Sequence, residues 1–199
     1  MNKKQQTINT YNRGANIMAV KFNDLGGYPE DIKDVFSRIQ KKNPNVIEIG
    51  CGNGRDAEEI FKYTKNYLGI DISQSFIEIA KNRNPGSMFK VADVENYEFE
   101  DNIDIIFAFA SFVHISKESL SNILGSIYSK LNCNGIVLAT IKYNNYYKEF
   151  TKEDEFGMRT YYLYSQDDIK NIAENFKILK NDIYDLRGQK WIKLILQKA

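Results

Sequence analysis

The stretch EIGCGNGRD at residues 48–56 decides how this 199-residue chain is interpreted, because three of its residues are glycines that alternate with other residues. The apolar run before it, residues 46–49, predicts a buried strand, and apolar side chains at helical spacing follow within residues 56–63. Glycines at such a junction let the backbone turn sharply and approach a ligand that a Cβ atom would keep away. The stretch therefore predicts a ligand-binding loop between a strand and a helix.

An acidic residue follows at an informative distance. Asp71 ends the next predicted strand, residues 67–70, and lies 21 residues after Gly50. This spacing is typical of a carboxylate that binds ribose hydroxyls in nucleotide-binding βαβ units. The pair predicts a nucleoside-containing cofactor. The alternative is an ordinary strand-to-helix turn, with Asp71 at a solvated strand end.

Strand and helix patterns continue to alternate through residue 141. Further strands are predicted at residues 88–91, 103–109 and 136–141, and helices at residues 74–81 and 117–131. Ser116 is a candidate N-cap for the second helix, and Asn134-Gly135 separates that helix from the next strand. Short alternating elements favour an α/β fold with a parallel, doubly wound sheet.

The last third of the chain has a different pattern. Residues 142–164 show no clean period and are rich in Tyr and Phe, whereas Ser165 opens a helix of the form Ser-x-x-Asp. Two strand-like runs, residues 176–183 and 191–196, predict a closing antiparallel hairpin. We expect one domain, residues 1–199, divided into an N-terminal helical cap (1–42), a cofactor-binding core (43–141), a substrate lid (142–164), and a helix with the closing hairpin (165–199).

Composition narrows the class of protein. The chain has 27 Lys and Arg against 26 Asp and Glu, so no basic excess favours a nucleic acid as partner. Two cysteines and one histidine are too few for a disulfide framework or a protein-built metal site. The longest apolar run, residues 103–113, is far shorter than the roughly 20 residues of a membrane helix. We expect a soluble, cytoplasmic protein with no membrane partner and no metal.

The glycine spacing helps to identify the cofactor. The dinucleotide fingerprint is G-x-G-x-x-G, whereas the third glycine here comes one residue early. Glu48, two residues before Gly50, is unsuited to a pyrophosphate but suits a ligand with a cationic amine. S-adenosylmethionine carries an ammonium, a sulfonium and a ribose, and it has no phosphate. The pattern favours this cofactor over a nicotinamide dinucleotide.

Five motifs in order resemble those of class I S-adenosylmethionine-dependent methyltransferases: residues 48–54, 69–73, 91–94, 107–114 and 131–136. The resemblance extends from about residue 43 to the C-terminus and is greatest to compact small-molecule and general methyltransferases. It implies an α/β, Rossmann-like fold with a seven-stranded, mostly parallel sheet, a C-terminal antiparallel hairpin and helices on both faces.

The resemblance also implies a cofactor site made of motif residues and one residue of the N-terminal segment: Glu48, Gly50, Cys51, Gly52, Asn53, Gly54, Asp71, Ile72, Asp93, Val94, Phe109, Ala110 and Tyr11. In such sites Asp71 would bind both ribose hydroxyls, and Asp93 would accept from the adenine amino group. Glu48 and the glycine loop would hold the amino-acid end. The alternatives are that Ile72 and Phe109 are core residues, and that Asp93 caps the turn at residues 95–96.

Candidate acceptor residues are aromatic or basic: Tyr28, Tyr146, Arg159, Tyr161 and Arg187. Aromatic rings can surround an apolar or cationic acceptor, and arginines can pair with an acidic group. The alternative is that the rings pack the lid on the sheet and the arginines are solvated. His114, the only histidine, follows the fourth predicted strand and is a candidate catalytic base. Its alternative role is to organise the loop.

The expected function is methyl transfer from S-adenosylmethionine to an O, N or S atom of a small-molecule acceptor. RNA or protein modification, and a non-catalytic cofactor-binding module, are the alternatives. No Asp/Asn-Pro-Pro-aromatic tetrapeptide or Pro-Cys pair follows the fourth strand, and this disfavours DNA-base methylation. The same loop lacks the acidic residues that hold magnesium in catechol-type enzymes, so we expect no metal there. A homodimer is possible, because the sequence does not determine the oligomeric state.

Overall fold

The structure, a computed structural model, describes residues 2–199. The helices are α1 (Lys3–Leu25), α2 (Pro29–Arg38), α3 (Ala57–Ile60), α4 (Gln74–Arg83), α5 (Lys117–Lys130) and α6 (Gln166–Ile172). The strands are β1 (Val46–Ile49), β2 (Tyr67–Asp71), β3 (Met88–Val91), β4 (Ile103–Phe109), β5 (Leu131–Lys142), β6 (Lys148–Asp154), β7 (Gly157–Leu163), β8 (Lys177–Leu186) and β9 (Gln189–Gln197). Within these residues, no helix is both long and apolar enough to cross a bilayer.

Seven strands form one sheet in the order β3-β2-β1-β4-β5-β9-β8. Strands β1 to β5 pair in parallel, and β9 is antiparallel to both β5 and β8. Every residue of β1 and β4 is buried, which explains why both read as nearly continuous apolar runs. The predicted mostly parallel, seven-stranded sheet with a closing hairpin is confirmed.

Helices cover both faces of this sheet, as predicted. One core packs Leu120 and Ile127 of α5 and Ile169 of α6 against one face of the central strands. The other core packs residues of α2, α3 and α4 against the opposite face, where Phe107 of β4 is fully buried. Alternate residues of β4 therefore belong to different cores, as the pleat of a strand requires.

Strand β5 begins earlier than the sequence predicts. The sequence predicts that Asn134-Gly135 separates the preceding helix from the strand, but β5 starts at Leu131, directly after α5. The pairing register jumps from Ile103↔Leu131 to Ile105↔Ile136, so a bulge absorbs the extra residues. Asn134 takes the left-handed conformation (φ 63°), and its N–H donates to the Lys198 carbonyl. Asn134 and Gly135 therefore lie in an irregular part of β5 and do not separate the strand from α5.

The predicted lid, residues 142–164, contains a regular two-stranded sheet that the sequence did not indicate. Strands β6 and β7 pair from Lys148↔Leu163 to Asp154↔Gly157. Most of β6 is exposed, so its sequence lacks the alternation that a half-buried strand would show. Helices α1 and α2 occupy the predicted cap, whose residue 1 lies outside the described part of the chain. The division into segments stays a prediction.

The small sheet is fastened to helix α1. The Thr160 N–H donates to Thr7 Oγ1 at 3.0 Å, and Thr10 Oγ1 donates to the Met158 carbonyl at 2.8 Å. A further bond runs from the Arg13 guanidinium to the Phe156 carbonyl at 3.2 Å. Helix α1 and strand β7 therefore lie together, and both border the cavity described below.

Candidate active site

A cavity of about 770 Å³ lies at the carboxyl ends of the parallel strands. Its lining runs from residues after β2 and β3 to residues of β5, β8 and β9. Four strands separate β3 from β9 in the sheet, so the lining spans roughly 24 Å at about 4.8 Å per strand. This edge is where open α/β sheets bind their ligands. We call its two ends the β2–β3 end (Asp71, Ile72, Asp93 and Val94) and the β5–β9 end (Lys142, Tyr161, Tyr184 and Trp191).

The glycine loop closes one wall of the cavity. The N–H groups of Gly50 and Cys51 donate to the Ile70 carbonyl at 2.8 and 3.1 Å, which ties the loop to β2. Gly50 has φ 71°, and a Cβ there would lie 2.3 Å from the Cβ of Ser111. A Cβ on Gly52 (φ 52°) would meet no atom within 4 Å. The space beside the Gly52 backbone is therefore open, and the binding role of the loop stays a prediction.

Asp71 is held in one orientation at the end of β2. Its Oδ2 accepts from the Gly52 N–H at 3.0 Å and its Oδ1 from the Ser73 N–H at 2.8 Å. Burial raises the pKa of this carboxyl, and the backbone amides oppose that change. Each oxygen keeps lone-pair capacity beyond these bonds, so the carboxylate can accept from ligand hydroxyls.

Ile72, Asp93 and Val94 share the β2–β3 end with Asp71. Asp93 also makes the contact that the alternative interpretation expects, because its Oδ1 accepts from the Glu95 N–H at 3.1 Å. Its Oδ2 lies 2.5 Å from Lys4 Nζ at the start of α1. Asp93 therefore caps its turn and lines the cavity at once.

Two of the predicted cofactor residues do not line the cavity. Glu48 lies behind the loop, 2% exposed, and accepts from the Tyr67 hydroxyl at 2.5 Å. Burial, together with Asp56, raises the pKa of Glu48 to about 8. Gly54 packs on α4, where a Cβ would lie 3.1 Å from that of Ala80. Both positions shape the loop from behind.

Asn53 reaches away from the loop towards α1. Its Nδ2 donates to the Ala19 carbonyl at 3.2 Å and to Asn23 Oδ1 at 2.9 Å. The remaining predicted cofactor residues line the cavity: Gly50, Cys51, Gly52, Asn53, Asp71, Ile72, Asp93, Val94, Phe109, Ala110 and Tyr11. The side chain of Asn53 thus joins α1 to the glycine loop.

His114 uses both ring nitrogens in contacts with the cover of the cavity. Its Nδ1 lies 2.6 Å from the Thr160 carbonyl, and its Nε2 lies 2.6 Å from the Tyr11 hydroxyl. Since a carbonyl only accepts, Nδ1 carries the proton and Nε2 accepts from Tyr11. Burial lowers the pKa of His114 to about 4, partly opposed by the Thr160 bond. A neutral ring with both nitrogens occupied favours the organising role over the base.

Strand β4 leaves the sheet through a strained residue. Ala110 has φ 52°, a left-handed conformation that is uncommon for a residue with a Cβ atom, and its N–H donates to Thr140 Oγ1 at 2.8 Å. Just before it, the ring of Phe109 stacks on Tyr28 with centroids 4.3 Å apart. Both rings line the cavity, so Phe109 is at once a core residue and a wall.

The predicted acceptor residues divide into two groups. Tyr28, Arg159, Tyr161 and Arg187 line the cavity, whereas Tyr146 is 65% exposed and lies outside it. The guanidinium of Arg159 pairs with Asp154 and lies over the ring of Tyr161 at 5.7 Å. Arg187 and Gly188 form the tight turn between β8 and β9, both with positive φ, which places Arg187 at the cavity.

Several residues that line the cavity are not among those predicted from the sequence. Lys142 ends β5, and its position at the carboxyl end of a parallel strand was a usable signal. Trp191 and Tyr184 lie on antiparallel strands, whose register the sequence does not give. The Ser111 and Tyr184 hydroxyls are buried without a hydrogen-bond partner in the described structure. Such groups suit a ligand that bonds to them. Residues 2–199 contain no cluster of three His, Cys, Asp or Glu side chains suited to a metal.

Comparison with known proteins agrees with this geometry. A family profile described as "Methyltransferase domain" matches residues 46–135. Malonyl-[acyl-carrier protein] O-methyltransferase 1 of Ilyobacter polytropus is 30% identical over 190 residues, which cover 90% of this chain and 69% of the relative. Phosphoethanolamine N-methyltransferase of Plasmodium falciparum is 30% identical over 174 residues, 80% of this chain and 64% of the relative.

Solved structures show the same fold. Magnesium protoporphyrin IX methyltransferase of Synechocystis PCC 6803, crystallised with bound S-adenosylmethionine, superposes with a TM-score of 0.75 at 13% identity, covering 100% of this chain and 98% of that one. The sequence match over most of a methyltransferase, the sheet order and the placement of the glycine loop point the same way. The chain belongs to the class I S-adenosylmethionine-dependent methyltransferases.

Proposed function

We propose that the chain transfers a methyl group to an O, N or S atom of a small molecule bound at the β5–β9 end. The observation that carries this proposal is the continuity of one cavity from Asp71 and Asp93 to Trp191. A nucleoside at the β2–β3 end and an acceptor at the β5–β9 end would then meet beside Ala110. Relatives named for malonyl-[acyl-carrier protein], phosphoethanolamine and ubiquinone biosynthesis support an acceptor of this class.

The cofactor fits the residues at the β2–β3 end. Asp71 would accept from both ribose hydroxyls, Ile72 would pack on the adenine, and Asp93 and the Val94 amide would meet its polar edge. The open backbone at Gly52 leaves room for the amino-acid portion. The unpartnered hydroxyl of Ser111 faces the same loop and can bond to a polar group of that portion. Glu48 lies behind the loop, where it accepts from the Tyr67 hydroxyl, and would make no direct contact with the ammonium.

S-adenosylmethionine supplies an electrophilic methyl group carried on a sulfonium. The chain contributes positioning, and correct placement of two reactants is worth effective molarities of roughly 10⁵–10⁸ M, or about 7–11 kcal/mol. Helix α1 and strand β7 border the cavity, where they would restrict the access of water. His114 keeps the exit of β4 in place through Tyr11 and Thr160.

The test of this function is a transfer assay with methyl-labelled cofactor and separate pools of small metabolites, RNA and protein. We expect label in the small-molecule pool. Label in the RNA or protein pool alone would replace this proposal with a macromolecular acceptor. Cofactor binding without label in any pool would indicate a binding module.

We expect S-adenosylmethionine and its demethylated product to stabilise the protein. A ligand at 100 times its Kd adds about 2.7 kcal/mol to the free energy of unfolding, because it binds only the folded state. Thermal-shift measurements over a concentration series of each nucleoside check this, with NAD as the control. Protection by NAD and by neither sulfur nucleoside would contradict the assignment of the β2–β3 end.

Replacing Asp71 by Ala should weaken cofactor binding by about 10- to 150-fold, since two charge-assisted contacts to hydroxyls are lost, together worth roughly 1.5–3 kcal/mol. Calorimetric titration with S-adenosylhomocysteine measures the change. Asp182→Ala, which removes an equally charged but exposed group on β8, is the matched control. Wild-type affinity in the Asp71 variant would show that the carboxylate does not contact the ligand.

We also propose that the protein works in a reducing compartment, the cytoplasm. Cys51 is buried and Cys133 exposed, and both are free thiols. This supports the proposal because exposed thiols persist where thiols are kept reduced.

A further inference from the structure

The β5–β9 end of the cavity carries more positive than negative charge. Arg159 there is neutralised by Asp154, and Lys193 on β9 by Asp31. Lys142 lines the cavity, and among residues 2–199 no carboxylate lies within ion-pair distance of its Nζ. Arg187, at the turn between β8 and β9, likewise has no acidic partner in the described structure. Two cations therefore border this end without compensation.

Aromatic rings hold the ammonium of Lys142 in place. Its Nζ lies 4.0 Å from the ring centroid of Tyr161 and 5.8 Å from that of Trp191. Trp191 is also the residue paired with Lys142 across β5 and β9. Such rings attract a cation but cannot cancel its charge. The ammonium is thus positioned and remains uncompensated.

The charged groups around Lys142 add to this imbalance. Burial, together with the nearby cations Arg159 and Lys152, lowers the pKa of Lys142 to about 8. A half-buried ammonium surrounded by cations is stabilised by any anion that enters. The Tyr184 hydroxyl, buried and without a partner, lines the same end as an additional donor.

We propose that the methyl acceptor carries an anionic group, a carboxylate or a phosphate, and that Lys142 determines specificity by forming an ion pair with it. This rests on the proposed function, since it assigns a substrate class to the β5–β9 end. The Tyr161 and Trp191 rings would flank the acceptor beside its anionic group. A cationic acceptor is disfavoured, because the carboxylates of Asp31 and Asp154 are already paired, with Lys193 and Arg159 respectively.

A different role for Lys142 would be removal of a proton from the acceptor. Lys142→Arg separates the two roles, because arginine keeps the positive charge and cannot be deprotonated in proteins. Lys142→Gln removes the charge at similar length. Lys148→Gln removes an exposed lysine of β6 outside the cavity and is the matched control.

The experiment uses protein saturated with S-adenosylhomocysteine and probes of matched size: benzoate and phenyl phosphate against benzamide and benzyl alcohol. Calorimetric or NMR titration should show each anionic probe binding the wild type at least tenfold more tightly than the neutral probes. Lys142→Gln should abolish the preference, whereas Lys142→Arg and Lys148→Gln should keep it within about threefold. Comparison of benzoate with phenyl phosphate identifies which anion fits better.

The proposal is overturned if no anionic probe binds the wild type more tightly than its neutral counterpart, or if Lys142→Gln keeps the preference. The labelled-transfer assay separates this failure from failure of the proposed function. A labelled but uncharged small molecule would overturn the anionic acceptor and leave the function standing. The opposite result is also possible: the probes show an anion preference that depends on Lys142, but the label appears only in RNA or protein. That result would overturn the small-molecule function and leave the anion site standing.

Discussion

Gly50→Ala should lower the free energy of unfolding by about 2–5 kcal/mol. The left-handed conformation at φ 71° costs a residue with a Cβ atom roughly 1–2 kcal/mol. The new methyl group would lie 2.3 Å from the Cβ of Ser111, and relieving such overpacking costs about 1–3 kcal/mol more. Urea denaturation without cofactor measures the sum.

Gly52→Ala is the matched control, because its φ is also positive but its Cβ would meet no atom within 4 Å. It should cost only the conformational term of roughly 1–2 kcal/mol. Adding Ser111→Gly to Gly50→Ala should recover most of the difference between the two variants. Equal destabilisation by Gly50→Ala and Gly52→Ala would show that Ser111 does not limit the loop.

The single imidazole should titrate far below its ordinary range. With a pKa of about 4 in the folded protein and about 6.5 in the unfolded chain, His114 takes up protons on unfolding at intermediate pH. Its contribution to stability is therefore complete above pH 6.5 and is lost as the pH falls towards 4, by about 3 kcal/mol in total. The ring-proton NMR signal of the only histidine measures the pKa directly.

Urea denaturation between pH 7 and pH 4.5 supplies the stability measurement, with His114→Gln for comparison. The raised pKa of Glu48, about 8, acts in the opposite sense, since its contribution is lost as the pH rises from 4.5 to 8. The difference between wild type and variant cancels that effect. An NMR midpoint near 6.5 would contradict the buried, neutral ring and reopen the case for His114 as a base.

The central sheet could be predicted because its strands are buried on both faces. Full burial forces apolar runs such as that of β4, and the glycine loop marks where the first strand ends. The β8–β9 hairpin could be predicted from two runs around one turn. Strand β6 could not be predicted, because it is mostly exposed to solvent and its sequence therefore shows no alternation of apolar and polar residues.

The candidate site could be predicted from the sequence only where residues close together in the chain determine its geometry. Gly52 and Asp71 belong to one βαβ unit, so their spacing predicts their proximity. Tyr11 and His114 lie 103 residues apart and meet through α1, whose position no local pattern encodes. The contact of Lys142 with Trp191 requires the antiparallel register of β5 and β9. Long-range contacts of this kind depend on tertiary packing alone.

The bonds between helix α1 and strand β7 have a kinetic consequence. Tyr11 joins α1 to His114, and Thr7, Thr10 and Arg13 join it to β7, so at least four hydrogen bonds break together when the cavity uncovers. At about 0.5–1.5 kcal/mol each, the open form would account for a few per cent down to below roughly 0.01% of the molecules. Spent nucleoside and methylated product would then leave during the same rare openings, and their departure would set the pace of successive turnovers.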